Sequence, residues 1–207
     1  MNTVQQFSAI ELSILWSRLI SIVDEAGTTL QRTAFSSVTR ESADFAVVLM
    51  DTKGQSLAQS SVSVPSFLGV LPFLVKALLK DHFPFETWRE GDVVITNDPW
   101  LCAGHKPDIG IVSPIFFDGR LIGFIGCIAH SPDIGGALWG AGAKDFYEEG
   151  LYIPPIKLYD GGVKNETVFR FVETNVRAAR QTLGDILAQV AANDQGIRAL
   201  HRLMHEN

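Results

Sequence analysis

The chain has 207 residues, of which 46% are hydrophobic and 19% are charged, and its formal net charge at pH 7 is −6. This composition excludes intrinsic disorder, which requires low hydrophobicity together with high charge. The acidic balance also offers no basic stripe with which to bind nucleic acid. Because charged residues fall below the roughly 25% of an average soluble domain, we expect part of the apolar surface to be covered by something other than this chain.

The sequence predicts a cytoplasmic protein that makes no contact with a membrane. Its first residues lack a basic segment followed by an apolar one, which is the pattern of a secretory signal. Its apolar runs stay short of the ~20 residues that a membrane span requires. The two cysteines, Cys102 and Cys127, are too few for a disulfide framework.

Hydrophobic periodicity predicts a helix near the start of the chain that ends near Ala34. Its apolar stripe is wide, and we therefore expect it to be covered on two sides. Residues 45–50 and 55–62 change to β-rich sequence and predict two strands around a turn. Residues 65–81 predict another helix, with Pro72 in its first turn, where a missing N–H group costs nothing.

The middle of the chain predicts a long β-hairpin. Residues 109–117 and 121–129 are strands, and Asp118-Gly119 between them is a strong two-residue turn signal. Pro114 should place the first strand at a sheet edge or at a bulge. The second strand is apolar on both faces, so we expect it to be buried.

The tail of the chain, from about residue 175 onward, predicts one long amphipathic helix with interruptions at Gly184 and Gly196. Together the elements predict an α+β fold. We expect a mixed β-sheet core with hairpins, flanked by the N-terminal helix and by the long C-terminal amphipathic helix.

Two polar segments flank the predicted hairpin and contain His105, Asp108, His130 and Asp133. Asp108 and His130 stand at similar distances from the turn, so a two-residue hairpin brings them to the same end of the ribbon. Two imidazoles and a carboxylate with an open side suit a catalytic divalent metal. Asp133 would then orient His130 or serve as a fourth ligand or base.

Two other interpretations of these residues remain open. In the simpler one, the histidines cap loops and the aspartates cap turns. In the other, Cys102 and His105 join Cys127 and His130, which repeat the same spacing, in a structural Cys2His2 zinc site. Against this zinc site, a separation of three residues along a strand points Cys127 and His130 to opposite faces.

Glu149 is a weaker candidate for the same site. The pair Glu148-Glu149 could place a carboxylate near its mouth, although a solvated pair before a turn is the simpler interpretation. The sequence shows neither the P-loop pattern nor a strand–G-x-G-x-x-G–helix pattern. We therefore expect no nucleotide site in this chain.

Seven short motifs follow one another between residues 32 and 158. They are Arg32-Thr-Ala-Phe-Ser36, Glu41 with Asp44-Phe45, Gly91-Asp-Val93, Asn97-Asp-Pro99, Gly104-His-x-Pro-Asp108, His130-x-x-Asp-Ile-Gly-Gly136 and Glu149-Gly-Leu-x-Ile-Pro-Pro-x-Lys-Leu158. In this order they resemble the hydantoinase B/oxoprolinase family, which includes the large subunits of ATP-dependent N-methylhydantoinases and the related acetone and acetophenone carboxylases.

The resemblance implies an enzyme subunit that needs partners. Residues 1–207 would be the N-terminal portion of a longer hydantoinase B-type subunit, with core motifs at 32–158 and a C-terminal helical region at about 175–207. The implied partners are a hydantoinase A-type ATPase subunit, which uses the ATP, the remainder of the B-type subunit and a small-molecule substrate.

The resemblance also implies a ligand set. The acetone carboxylase branch binds Mn²⁺ at the positions that match His105, Asp108 and His130, and Zn²⁺ or Fe²⁺ would also suit these residues. The leading hypothesis is a metal-binding subunit of an ATP-dependent hydantoinase/oxoprolinase-type amidohydrolase, which cleaves a cyclic amide C–N bond and is inactive without its partner. Asp133 and Glu149 would be its catalytic acid–base residues.

Two alternative functions stay open beside this hypothesis. The chain would be a subunit of an acetone/acetophenone carboxylase-type enzyme, or a truncated interaction module without catalytic activity. The substrate also stays open between a hydantoin, 5-oxoproline, another lactam and a ketone.

Overall fold

The structure is a computed structural model that describes residues 7–137 and 142–206. Its main elements are, in chain order, α1 (Ala9–Thr33), α2 (Ser37–Arg40), β1 (Phe45–Met50), β2 (Ser56–Gln59), α3 (Pro65–Leu68), α4 (Val70–Ala77), β3 (Val93–Thr96), β4 (Asp108–Phe117), β5 (Arg120–His130), β6 (Ile156–Asp160), β7 (Val163–Lys164), α5 (Glu166–Asn175) and α6 (Ala179–His205). A π-helical turn over Leu78–His82 extends α4, and a short 3-10 helix covers Phe85–Thr87.

The seven strands described form one sheet in the order β2-β1-β5-β4-β3-β6-β7, and the pairings between them are antiparallel. The predicted hairpin is confirmed as β4 and β5, whose register pairs Asp108 with His130 at the end opposite the turn. β4 lies inside the sheet and not at its edge. Pro114 is tolerated there because the pairing of β4 with β3 extends only to Val112, and Pro114 lies beyond it. Pro114 also lies close to a register shift in β4.

Both faces of the sheet are covered by helices. Odd-numbered residues of β1 contribute to a buried cluster with α1, α5 and α6, and its even-numbered residues contribute to a second cluster with α3 and α4. Residues 123–129 of β5 are buried, as their apolar sequence predicts. The molecule therefore has three layers with the sheet in the middle, and the predicted α+β class is confirmed.

Helix α1 is buried along only part of its length. It begins with a capping box, in which the Glu11 N–H group donates to Ser8 Oγ at 3.2 Å and the Ser8 N–H group donates to Glu11 Oε2 at 2.7 Å. Val23 and Leu30 in its second half are fully buried, whereas Ile10 in its first half is 74% exposed. The expected cover on two sides is therefore present only along the second half, among the residues described.

Helix α6 runs without a break from Ala179 to His205, so the expected interruptions at its two glycines are wrong. A Cβ atom at Gly184 would lie 2.3 Å from the ring of Phe35, and one at Gly196 would lie 2.3 Å from Cδ1 of Ile125. The glycines therefore allow close packing and do not end the helix. The preceding helix α5 was not expected from the sequence. None of the helices described is long and apolar enough to cross a membrane.

Candidate metal centre

The hairpin brings three of the predicted ligands together at one end of the sheet. Asp108 is the first residue of β4, and its register partner His130 is the last residue of β5. The Asp108 side chain is buried, and its Oδ1 lies 2.9 Å from His130 Nδ1 while its Oδ2 lies 2.7 Å from His105 Nε2. Each oxygen of one carboxylate therefore holds one imidazole, and the two rings lie 5.2 Å apart.

A tight turn before β4 places His105 over Asp108. Gly104 has a φ of +93°, a conformation that a residue with a side chain rarely adopts. The Asp108 N–H group then donates to the His105 carbonyl at 3.4 Å, and the Ser131 N–H group donates to the Pro107 carbonyl at 2.8 Å. The second of these bonds ties the turn to the end of β5, so both imidazoles belong to one connected structure.

The charges of the triad favour an ionised carboxylate. Burial alone would raise the pKa of Asp108, but the hydrogen bonds from His105 and His130, together with the charges of these two histidines, outweigh burial and lower it. The same hydrogen bond, together with the charge of Asp108, raises the pKa of His105 against the opposing effect of burial. An ionised carboxylate only accepts hydrogen bonds, so both imidazoles donate to it in this arrangement.

The donor set fits a divalent metal. His105, Asp108 and His130 each offer one ligand atom, and these atoms lie within 4.8 Å of one another. Two imidazole nitrogens and one carboxylate oxygen suit Zn²⁺, Mn²⁺ or Fe²⁺, and a set of three leaves a position open for a substrate or water. Among residues 7–137 and 142–206, no other group of three such side chains is found.

The alternative Cys2His2 zinc site is wrong. Cys102 is buried in the cluster on the α3–α4 face of the sheet, and Cys127 is buried in the cluster on the opposite face. The Cys127 thiol donates to the Gln189 carbonyl at 3.6 Å. Burial raises the pKa of Cys102 to about 12 and also raises that of Cys127, so both thiols stay protonated and inert.

Asp133 lies in the same region but faces the start of α6. Its carboxylate accepts hydrogen bonds from the N–H groups of Gly135 and Ala178, each at 2.9 Å, and also from the N–H group of Arg177. The Arg177 guanidinium adds a contact at 2.9 Å. Although burial opposes them, these bonds lower the pKa of Asp133. The structure therefore places Asp133 as a cap for α6, and the base role predicted for it stays a prediction.

Glu149 contacts the ligand turn through the backbone. Its Oε2 accepts a hydrogen bond at 3.0 Å from the N–H group of Lys106, the residue between two ligands. The buried Lys106 side chain points into the segment that carries Glu149. Its ammonium donates to the Gly150 carbonyl at 3.0 Å and lies 3.6 Å from the centre of the Phe146 ring. Burial lowers the pKa of this lysine, and the charge of Glu149 opposes that shift.

Asn97 supports the same turn, a role that the sequence interpretation missed. This residue is fully buried, and its Nδ2 donates to the carbonyls of Lys106 at 2.8 Å and Leu151 at 2.9 Å. Its Oδ1 accepts from the Ile153 N–H group at 2.7 Å. Asp98, its neighbour in the motif Asn97-Asp-Pro99, accepts from the Trp100 N–H group at 2.9 Å.

A cavity of about 710 Å³ opens beside the two imidazoles and is lined by residues 37–44 and 131–137 in part. Its wall includes Asp44, which the sequence interpretation named only as part of a family motif. The backbone N–H group of His130 donates to the Asp44 carbonyl at 3.0 Å. The two residues meet because their neighbours Phe45 and Ala129 pair in the ladder between β1 and β5. Burial raises the pKa of Asp44, the imidazole of His130 opposes this, and the charge of Asp108 adds to it.

Comparison with known proteins gives related sequences and structures. Residues 8–207 match the family model described as Hydantoinase B/oxoprolinase. The B-type subunit of a putative D-/L-hydantoinase from Pseudomonas sp. (strain NS671) is 37% identical over 91% of this chain and 33% of its own length. The crystal structure of the ATP-dependent caprolactamase from Pseudomonas jessenii matches with a TM-score of 0.85 and 32% identity, over 98% of this chain and 35% of that one.

A nucleotide-free acetone carboxylase structure matches with a TM-score of 0.86 and 22% identity, over 94% of this chain and 26% of that one, and it shows the same fold. The chain spans about a third of the length of the hydantoinase polypeptide and of the caprolactamase chain. The family model, by contrast, covers the chain almost from end to end. This protein therefore belongs to the hydantoinase B/oxoprolinase family.

Proposed function

We propose that this chain provides the metal centre of an ATP-dependent hydrolase that opens cyclic amides, of the hydantoinase/oxoprolinase type. The observation that carries the proposal is the triad of His105, Asp108 and His130, whose ligand atoms converge within 4.8 Å beside a cavity of small-molecule size. Two relatives are named as a hydantoinase and a caprolactamase, and hydantoins and caprolactam are both cyclic amides.

The chain's own residues prepare this centre for hydrolysis. A divalent ion held by the triad would supply Lewis-acid polarisation of an amide carbonyl or activation of water. In the structure each Asp108 oxygen accepts one hydrogen bond from an imidazole, which keeps the three side chains together. A bound ion would take the place of these protons, since metal ligands must be deprotonated. The cavity gives a cyclic amide access to the imidazoles, and Asp44 adds a further carboxyl group to its wall.

Asp133 and Glu149 are the predicted acid–base residues, and we propose that they position the two segments that carry the metal ligands. Asp133 fixes the loop after β5 to the start of α6 through the N–H groups of Arg177 and Ala178. Glu149 fixes the ligand turn through the N–H group of Lys106. Groups of this kind hold metal ligands in place and commonly change metal affinity when they are removed.

The partner and cofactor predictions belong to the same proposal. Mn²⁺ or Zn²⁺ would occupy the centre, with Fe²⁺ as the third candidate, and the protein would work in the cytoplasm. ATP would be used by a hydantoinase A-type ATPase subunit. This chain would be the N-terminal portion of a B-type subunit, completed by residues equivalent to the rest of the relatives' length. Two relatives are named as the B and beta subunits of their enzymes, which supports a multi-subunit enzyme.

Elemental analysis of the purified chain tests the metal centre. The apo chain is incubated with Mn²⁺, Zn²⁺ or Fe²⁺ in turn, desalted and measured by plasma mass spectrometry. We expect about one ion per chain for the wild type, and a loss of most of it in His105→Ala, His130→Ala and Asp108→Asn. His82→Ala, at an exposed position, is the control and should keep the wild-type content.

A wild-type content of only a few per cent of one ion per chain would contradict the metal centre. Equal content in the wild type and in the His105→Ala and His130→Ala variants would contradict it as well.

Assays with an A-type ATPase subunit distinguish the proposed hydrolase from its alternatives. ATP-dependent opening of a lactam or hydantoin ring supports the hydrolase. Bicarbonate- and ATP-dependent carboxylation of a ketone instead supports the carboxylase alternative, and assembly without either reaction supports an interaction module. We expect no ring opening by the 207-residue chain alone, and turnover without a partner would contradict that expectation.

A further inference from the structure

The first half of α1 carries large apolar side chains that the described part of the chain leaves uncovered. None of residues 7–21 is buried, and five of them are large, apolar and exposed, namely Phe7, Ile10, Leu12, Ile14 and Trp16. The two charged side chains among residues 7–18 are already engaged, because Glu11 accepts from the Ser8 N–H group and Arg18 pairs with Glu206. What this half of the helix offers to a partner is therefore apolar surface.

We propose that this surface is the docking site for a helix that continues the line of α6, formed by the segment that follows residue 207 in the full-length B-type subunit. The inference rests on the proposed function, because it takes this chain as the N-terminal portion of such a subunit. It goes further by naming the surface that the remainder of the subunit covers and the direction in which it runs.

The uncovered surface continues a face of α1 that is buried further along the helix. Leu12, Leu15, Leu19, Ile22 and Ala26 follow one another at separations of three or four residues, so they share one face. Ala26 and Ile22 are buried, Leu19 and Leu15 are half-buried, and Leu12 is 49% exposed. Burial thus falls along a single face toward the start of α1 while the residues on it stay apolar. The face is built for a cover longer than the one that the described residues supply.

Helix α6 supplies the cover that is present, and it runs antiparallel to α1. A Cβ atom at Gly196 would lie 3.7 Å from Cβ of Ala26. Further along α6, Glu206 pairs with Arg18, so the partner residues in α1 run backward as α6 runs forward. A groove of about 270 Å³ between the two helices ends at this same ion pair. The cover of α1 therefore stops at Arg18 because α6 has reached its last turn there.

A straight continuation of α6 would pass Leu15 and then Leu12. About ten further residues, which as a helix span roughly 15 Å, would reach the start of α1. The buried residues Ala199, Leu200 and Leu203 of α6 repeat every three or four positions, so the continuation needs apolar side chains at the same spacing. This chain spans about a third of the hydantoinase and caprolactamase relatives, and a full-length subunit has enough polypeptide to supply them.

Other occupants fit this surface less well. A helix that binds a membrane surface is typically rich in lysine and arginine, whereas Arg18 is the only cation among residues 7–18 and is paired with Glu206. A second copy of this chain could pack on Leu12, but it would not continue α6 and would leave the open end of the groove uncovered.

Amide hydrogen exchange, read by mass spectrometry, tests the inference. The 207-residue chain is compared with the same chain extended by about 30 residues, taken from the caprolactamase beta subunit of Pseudomonas jessenii where that subunit continues past the matched portion. This length is at least twice what the inferred helix needs. We expect exchange over residues 9–19 to be at least tenfold slower in the extended chain, and exchange over residues 22–33 to change less than about twofold.

The variant Leu12→Asp assigns the docking to the α1 face. Leu12 is half-exposed in the 207-residue chain, so the variant should fold, but docking would bury its unpaired charge. In the extended chain it should remove most of the protection of residues 9–19. Ser13→Asp is the matched control, since consecutive residues of a helix point about 100° apart and Ser13 points away from Leu15. The control should keep the protection.

Exchange over residues 9–19 that is equally fast in both chains would overturn the inference, and so would equal effects of Leu12→Asp and Ser13→Asp. Protection of the 207-residue chain that rises with protein concentration would identify a second copy as the occupant, and protection by anionic lipid vesicles would identify a membrane surface; either result overturns the proposal. The metal content of the same samples separates these outcomes from failure of the proposed function. A chain with about one ion that does not dock the segment contradicts only the inference, and a chain without metal contradicts only the proposed metal centre.

Discussion

Asp108 organises the candidate site at the level of single residues. The Asp108 carboxylate contacts both imidazoles. The turn before Asp108 contains Lys106, whose side chain contacts the Phe146–Gly150 segment. This lysine is buried although it lies between two ligands, and its side chain points away from them into the Phe146–Gly150 segment. The Lys106 ammonium therefore fixes the turn that carries His105 to the Phe146–Gly150 segment, through a hydrogen bond and a contact with an aromatic ring.

Replacing Lys106 by methionine should lower metal affinity about tenfold, because the turn that carries His105 loses its contacts to Gly150 and Phe146. Competition with a chelator on the purified variant measures the change. Lys164→Met is the matched control, since Lys164 also lies over a phenylalanine ring, at 4.3 Å from the centre of Phe169. Equal affinities for the two variants would show that Lys106 does not position the ligands.

Asp133→Asn should destabilise the protein by about 1–2 kcal/mol at pH 7, because the cap of α6 loses acceptors for N–H groups. The pKa of Asp133 is lowered in the folded state. Its contribution to the free energy of unfolding is therefore present above the unfolded-state pKa and is lost as the pH falls through the folded-state pKa. The difference in free energy of unfolding should therefore shrink below about pH 4.

Urea unfolding of both proteins at neutral and acidic pH measures this effect. Asp81→Asn is the control, since Asp81 is exposed and pairs with the exposed Lys80 at 3.7 Å, and such pairs contribute little. A destabilisation by Asp133→Asn that stays constant with pH would contradict the assigned cap.

At the level of elements, local signals predicted the site only in part. The turn Asp118-Gly119 and the strand lengths predicted the pairing of Asp108 with His130, because a hairpin is closed by nearby residues. The position of Asp44 beside His130 depends instead on the pairing of β1 with β5. This pairing joins segments far apart in the chain, so no local sequence pattern predicts it. The apolar period of α6 predicts the helix, but it does not explain Gly184 and Gly196, because their role is close packing against Phe35 and Ile125, which are distant in the chain.

Glycines also determine how the loops around the site fit together. Gly150 has a φ of +115°, and a Cβ atom there would lie 2.4 Å from the carbonyl oxygen of Ile134. Gly136 meets the same segment from the other side, where a Cβ would lie 2.4 Å from the Glu148 carbonyl oxygen. These contacts are between backbones, so side-chain movement cannot relieve them.

Gly150→Ala should therefore cost about 2–4 kcal/mol of unfolding free energy, from the unfavourable φ and from the backbone clash. Gly69→Ala is the control, since Gly69 has a φ of −76° and nothing lies within 4 Å of an added Cβ. Thermal unfolding of the two variants gives the comparison. A Gly150→Ala protein as stable as Gly69→Ala would mean that the loops do not pack as closely as the structure shows.

At the level of the whole molecule, one sheet contributes side chains to two hydrophobic clusters, one on each of its faces. Adjacent residues of β1 point into different layers, so loss of either layer exposes the same strand. Val47 belongs to the cluster with α1, α5 and α6, and Val48 belongs to the cluster with α3 and α4. Both side chains are fully buried, which predicts that the two layers unfold together.

Val47→Ala and Val48→Ala should each lower the free energy of unfolding by about 2 kcal/mol, and each variant should keep a single unfolding transition. Circular dichroism in the far and near ultraviolet, followed in urea, should give coincident curves. Val163→Ala on β7, where the side chain is 72% exposed, should change stability by less than about 0.5 kcal/mol. Separate transitions in either core variant would show that the layers are independent.

The central hairpin has its two ends in different surroundings. One end carries the predicted ligands, and the other is the exposed Asp118-Gly119 turn. Strand β4 between them has 10 residues, which corresponds to roughly 33 Å at about 3.3 Å per residue. A nitroxide label at the turn and a paramagnetic ion at the triad would thus form a molecular ruler, with which magnetic resonance could locate the ion from a point that does not touch its ligands.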